Sequence, residues 1–175
     1  LKMLIASVDI GGTKISAALL DADFRILGME TFATAEAKDC ADAARRCREV
    51  IFRLLKDAGA VGEKLTAVGV ASPGPLDLKT GTIVHIPTLG WRNEPIKAYF
   101  EEQFGCAVAL QNDTNTAALG EYVFGAAKGC ESVAYITVST GVGCGLVMDG
   151  RIYEGAGSAA GEIGHINLVK DGRPC

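Results

Sequence analysis

The sequence predicts an α/β protein made of two lobes built on one plan. Short β-branched apolar runs alternate with stretches of helical periodicity, which is the pattern of mixed sheets and helices. The order strand, glycine turn with a threonine, strand, Asp-containing turn, strand occupies residues 3–33 and recurs over 132–153. A cap-rich segment, Gln111-Asn112-Asp113-Thr114-Asn115, separates the two. The lobes are therefore drawn as 1–112 and 113–175, with a cleft expected between them. A chain of 175 residues is long enough to bury a real core.

Met3–Asp9, Ile15–Leu20 and Phe24–Ala33 read as an antiparallel meander, joined by the Gly11-Gly12 turn and by Asp21-Ala22-Asp23. Asp39 then caps a helix. Cys47, Val50, Ile51, Leu54, Leu55 and Ala58 recur at helical spacing until Gly59, so one amphipathic helix covers the sheet. Leu65–Ala71 is a strand that runs into Ser72-Pro73-Gly74-Pro75, where no regular structure can continue. Such a loop is either a ligand-facing mouth or a plain turn.

Residues 76–93, with Trp91 as the sole tryptophan, read as an irregular excursion. A helix over 95–104, a strand Ala107–Leu110 and an alanine-rich helix ended by Gly125 follow. The second lobe begins with strand Val133–Val138, the turn Ser139–Gly143, strand Cys144–Met148, an Asp149-Gly150 hairpin turn and Arg151–Tyr153.

A net charge of -4 and a pI near 5.2 provide no polybasic footprint, so nucleic acid is disfavoured and a small-molecule partner expected. No apolar run reaches the ~20 residues of a membrane span, which predicts a soluble protein without membrane association. The six cysteines include no Cys-x-x-Cys pair and no secretory leader precedes them. They imply a cytoplasmic protein with reduced thiols, the first five serving core packing.

Asp9-Ile-Gly-Gly-Thr-Lys14 has the outline of a phosphate-and-metal turn. Its glycines allow close backbone approach, Thr13 and Lys14 offer a hydroxyl and a cation, and Asp9 supplies a carboxylate at a strand end. Gly-Gly between apolar runs is equally a hairpin signal. Asp113 is likewise open to two readings, a helix cap or a catalytic carboxylate.

Taken together, these segments resemble the ROK family of sugar kinases, glucokinases and N-acetylhexosamine kinases among them, and of sugar-sensing repressors, within the actin-like ATPase superfamily. Asp9–Lys14 is similar to the family's first phosphate motif and Ser139–Gly143 to its second. Asn112-Asp113 is similar to its catalytic pair, and Gly161-Glu-Ile-Gly-His165 with Cys175 to the start of its signature. The resemblance implies an actin-like (ribonuclease H-like) fold with an incomplete second lobe. It also implies ATP-dependent phosphorylation of a hexose or N-acetylhexosamine hydroxyl, with ATP and Mg²⁺ required.

Residue by residue, the resemblance implies Asp113 as general base. Asp9, Gly11, Gly12, Thr13, Lys14, Thr140, Gly141 and Gly143 are implied at the nucleotide phosphates and Mg²⁺, and Gly74, Asn112, Asp113, Glu162 and His165 at the sugar. Spacing by three puts Glu162 and His165 on one face of a helical turn. His165 and Cys175 are two of the family's zinc ligands. The chain stops at the first cysteine of that motif, so weak zinc binding or none is expected here.

The chain resembles roughly the first half to two-thirds of such a kinase. A homodimer is expected for the full-length protein, and uncovered apolar surface on the shortened second lobe. Two alternatives accompany the kinase reading: a sugar-binding regulator without its DNA-binding domain, and a folded but inactive fragment.

Overall fold

The computed structural model describes residues 3–139, 141–170 and 172. The chain forms two compact units, the first ending at Asp113 and the second beginning at Thr114.

The first unit contains β1 (Leu4–Ile10), β2 (Lys14–Leu20), β3 (Ile26–Ala33), α1 (Cys40–Asp57), β4 (Leu65–Ser72), β5 (Leu76–Asp77), β6 (Thr82–Ile86), β7 (Trp91–Glu94), α2 (Ile96–Phe104) and β8 (Ala107–Asn112). Its main sheet has the order β3-β2-β1-β4-β8. β1, β2 and β3 form the expected antiparallel meander, whereas β4 and β8 add in parallel to β1. Parallel neighbours need long crossovers. α1 lies in the crossover from the meander to β4, and α2 in that from β4 to β8.

Side chains alternate across a strand, so Leu4, Ala6, Val8 and Ile10 of β1 all enter one core. The apolar stripe of α1 meets them with Cys40, Ala43, Ala44, Cys47, Val50, Ile51, Leu54 and Leu55, while α2 adds Ile96 and Phe100. Each large side chain buried in this way contributes about 1.5–3 kcal/mol. The Asp39 cap, whose carboxylate accepts from the Asp42 amide at 2.8 Å, contributes about 1 kcal/mol. Burial of the stripe therefore holds α1 in place, and the cap decides where it starts.

Residues 76–93 depart from the expected irregular excursion: β5, β6 and β7 make a small antiparallel sheet. The Asp77 carboxylate closes the turn between β5 and β6 by accepting from the Lys79 and Thr80 amides at 3.0 and 3.3 Å. Ile83, Ile86 and Trp91 join the main core from this sheet. Strands this short cannot display a hydrophobic period, which is why the sequence pattern misses them.

The second unit contains most of α3 (Asp113–Val123) with β9 (Ser132–Val138), β10 (Val142–Met148) and β11 (Arg151–Ile152), in the sheet order β11-β10-β9. Ile136, Val138 and Val142 leave apolar surface exposed on this sheet. Cys40, Cys47 and Cys144 are buried and Cys106 is half-buried. Cys130 is exposed, contrary to the core role expected of it, because it lies in the polar connection after α3 where no apolar layer covers it. No helix among the described residues is long and apolar enough to cross a membrane.

Candidate active site

Three parallel strands of the first unit end together. Asp9 of β1 is level with Ala71 of β4, and Ala71 with Gln111 of β8. Just beyond that level the chain continues as Ile10-Gly11-Gly12, Ser72-Pro73-Gly74 and Asn112-Asp113. The carboxyl ends of parallel strands are where open α/β sheets bind ligands. β1 and β8 lie two strand spacings apart, about 10 Å, leaving room for reacting groups between side chains from the two.

Asp9 lies on the sheet face opposite the one that carries α1 and α2, paired with Ser16 of β2. Loss of hydration raises its carboxyl above the ordinary aspartate value, the negative charge of Asp113 raises it further, and Lys14 opposes both. The Asp9 carboxylate, under the charge of Asp113 and beside a Gly-Gly turn, offers oxygen donors of the kind Mg²⁺ takes. The residues present thus fit that ion.

The turn itself is closed by the Gly11 amide donating to the Lys14 carbonyl at 2.8 Å. In the adjacent loop Gly74 lies against Asn112: a Cβ built on Gly74 would stand 3.7 Å from the Asn112 amide nitrogen. The Gly74–Pro75 peptide is cis. Gly74 and Asn112 meet at the mouth of the sheet, next to Asp113.

In the second unit, backbone contact with β10 positions the remaining residues. Gly143 and Gly145 lie on one face of β10. A Cβ on Gly143 would meet the Thr114 hydroxyl at 3.1 Å, and one on Gly145 would run into the Thr114 carbonyl. The first turn of α3 thus rests directly on the strand that leaves the second turn.

The Leu146 carbonyl accepts from the Tyr153 amide at 2.9 Å, so carbonyls of alternate residues face that edge of β10. Two and four residues earlier the Cys144 and Val142 carbonyls face Gly161 and Gly164, at which any Cβ would collide with them. The segment 161–165 is therefore laid along β10 beside the turn Ser139–Gly143, itself closed by the Ser139 amide on the Gly141 carbonyl at 2.8 Å. A one-turn 3₁₀ helix, Ile163–His165, places the Glu162 and His165 side chains side by side, Oε2 to Nε2 3.7 Å, both well exposed.

Among the predicted site residues, Asp9, Gly11–Lys14, Gly74, Asn112 and Asp113 gather at one end of the first unit. Gly141, Gly143, Glu162 and His165 gather along β10 in the second. Thr140 and Cys175 lie outside the described residues. Among the described residues no group of three or more side chains could hold a metal ion, and Cys175 of the expected zinc pair lies outside them. Two residues escaped the sequence reading. Gly145 carried a signal, a glycine inside a strand where another backbone approaches closely. Thr34, whose hydroxyl donates to the Gly11 carbonyl at 2.8 Å, carried none.

The ROK family model matches residues 5–175. The glucokinase of Streptomyces coelicolor is 36% identical over 173 residues, covering 98% of this chain and 52% of the relative. The ROK hexokinase of Thermus thermophilus superposes with a TM-score of 0.86 at 38% identity, covering 99% of this chain and 56% of that structure. A ROK family glucokinase from Streptomyces griseus, solved with glucose and AMPPNP, matches with a TM-score of 0.76 at 37% identity, covering 97% and 52%. A ROK family transcriptional regulator, a homologue of the E. coli MLC protein, matches with a TM-score of 0.83 at 25% identity, covering 99% and 43%. The chain spans about half the length of the curated glucokinases it matches.

Proposed function

The chain belongs to the ROK family and has the α/β fold of its actin-like ATPase kinases, and from that premise we propose that the protein phosphorylates a hydroxyl of a hexose or N-acetylhexosamine with ATP. One observation supports this above the others: Asp9, at the carboxyl ends of parallel strands beside a glycine turn, lies under the charge of Asp113 just past the end of β8. ATP with Mg²⁺ supplies the transferable phosphoryl group. Asp113 takes the proton from the attacking sugar hydroxyl as the new O–P bond forms and the bond to the ADP oxygen breaks. Gly74, Asn112, Glu162 and His165 orient the sugar. Gly11, Gly12, Thr13 and Lys14, with Thr140, Gly141 and Gly143, would receive phosphate oxygens, and Asp9 would help to hold Mg²⁺, which neutralises their charge. The place of action is the cytoplasm.

The likeness to a ROK regulator keeps a second reading open beside the kinase, the sugar-binding part of such a regulator. Coupled measurement of ATP consumption with a panel of hexoses and N-acetylhexosamines separates the two. Sugar-dependent turnover is expected, falling about 10²–10⁴-fold in Asp113→Asn without loss of thermal stability. If neither this chain nor a full-length form consumes ATP with any sugar, the kinase assignment is wrong, and normal turnover by the variant refutes Asp113 as the base. Sugar binding without turnover supports the regulator or an inactive fragment.

A further inference from the structure

We propose that Thr34 is the positioning residue of the first phosphate turn, an assignment that rests on reading Asp9–Lys14 as that turn. Thr34 follows β3 on a one-turn 3₁₀ helix, yet it is only 2% exposed, one of few buried polar residues among those described. It reaches 23 residues back along the chain. Its hydroxyl donates to the Gly11 carbonyl at 2.8 Å and its amide to the Thr13 carbonyl at 3.0 Å. The Lys14 carbonyl is taken by the Gly11 amide at 2.8 Å.

Anion binding requires a turn to show its N–H groups and to hide its carbonyl oxygens, whose lone pairs repel phosphate. Here three of the turn's carbonyls, those of Gly11, Thr13 and Lys14, are engaged within the protein. The Gly12 and Thr13 amides donate to no backbone group among the described residues. Thr34 supplies two of the three engagements and so sets which way the turn faces.

Its own anchorage is firm. The Thr34 carbonyl accepts from the Ala37 amide at 3.0 Å, and the Glu36 carboxylate accepts from the Ala33 amide at 3.1 Å. Glu36 also pairs with Arg46 of α1 at 3.6 Å. The backbone that carries the Thr34 hydroxyl is thus fixed by bonds of its own, independent of the turn.

The test uses Thr34→Val, which keeps the shape and removes the donor, and Thr34→Ser, which keeps the donor, in the 175-residue chain. Amide hydrogen exchange of Gly11–Lys14 is read by NMR, and ATP affinity in the presence of Mg²⁺ by calorimetry. Thr34→Val is expected to speed exchange of the Gly11 amide about tenfold and to weaken ATP about tenfold, the net effect of one hydrogen bond. Exchange in β8 should stay within about twofold, and Thr34→Ser should restore both quantities.

Unchanged Gly11 exchange in Thr34→Val overturns the assignment. So does a uniform rise through β1, β4 and β8, which makes Thr34 a general stabiliser, or an unchanged ATP affinity. If the unaltered chain binds no ATP, it is the reading of Asp9–Lys14 as a working phosphate turn in this chain that fails. Localised Gly11 deprotection then still supports the Thr34 contact, and unchanged protection still refutes it.

Discussion

Three glycines in the segment after β11 separate two kinds of backbone cost, and alanine at each predicts a ranked outcome. Gly157 has φ +71 with open space around its missing Cβ, so Gly157→Ala meets only the left-handed backbone penalty, about 1–2 kcal/mol. Gly164 is not left-handed, but its Cβ would collide with the Val142 carbonyl, so Gly164→Ala meets only overpacking, about 1–3 kcal/mol. Gly161 has φ +86 and a Cβ that would collide with the Cys144 carbonyl, so Gly161→Ala combines both at about 2–5 kcal/mol. The cheapest response of the protein is to release the segment from β10, which moves Glu162 and His165 away from the Ser139–Gly143 turn. Limited proteolysis at 155–165, with urea unfolding alongside, reads this. Gly161→Ala should be cut fastest and lose the most sugar affinity, with Gly157→Ala the least affected of the three. A Gly161→Ala variant no more labile than Gly157→Ala would refute the docking of this segment on β10.

Asp9→Asn should raise the melting temperature at neutral pH and, on the function proposed above, abolish phosphoryl transfer. Burial and Asp113 raise the Asp9 carboxyl above 3.8, so its stabilising contribution is present at low pH and lost as pH rises through the raised value. The gain from Asp9→Asn should vanish in acid, as melting curves across pH will show. Asp42 behaves oppositely: hydrogen bonds from Arg45 and from the Lys38 amide hold its carboxyl well below the usual range. Its contribution is present above 3.8 and lost as pH falls toward the depressed value, so Asp42→Asn should flatten the acid limb of a melting-temperature profile. Burial pushes the Cys47 thiol up to about 12 and that of Cys40 higher still. Alkylation at mildly alkaline pH, mapped by mass spectrometry, should modify exposed Cys130 and spare Cys40 and Cys47 until the chain unfolds.

The meander and α1 were legible in the sequence because turn residues bracket runs of clear period, and Asp39 and Gly59 punctuate the helix. The sheet β5-β6-β7 was not, since two to five residues per strand are too few to show alternation. The residue types of the candidate site could be listed from motifs. Their gathering could not, because the proximity of Asp9 and Asp113 depends on β4 inserting in parallel between β1 and β8. Thr34 shows the limit most plainly: a threonine after a strand is ordinary, and its partner is 23 residues away. Gly145 lay within reach, since Gly143 and Gly145 at alternate strand positions mark a surface on which only backbone can rest.

β9 is the outermost strand of the second unit's sheet, and its free side is a row of unsatisfied backbone groups among the described residues. Ile136 and Val138 stand exposed on the same strand, 57% and 77%. An uncharged, β-branched border of this kind is a template on which one chain can recruit the next, strand against strand. Colloidal behaviour of the isolated chain is thus governed by this one uncharged strand, and one lysine along that border would do more to keep chains apart than charge added elsewhere.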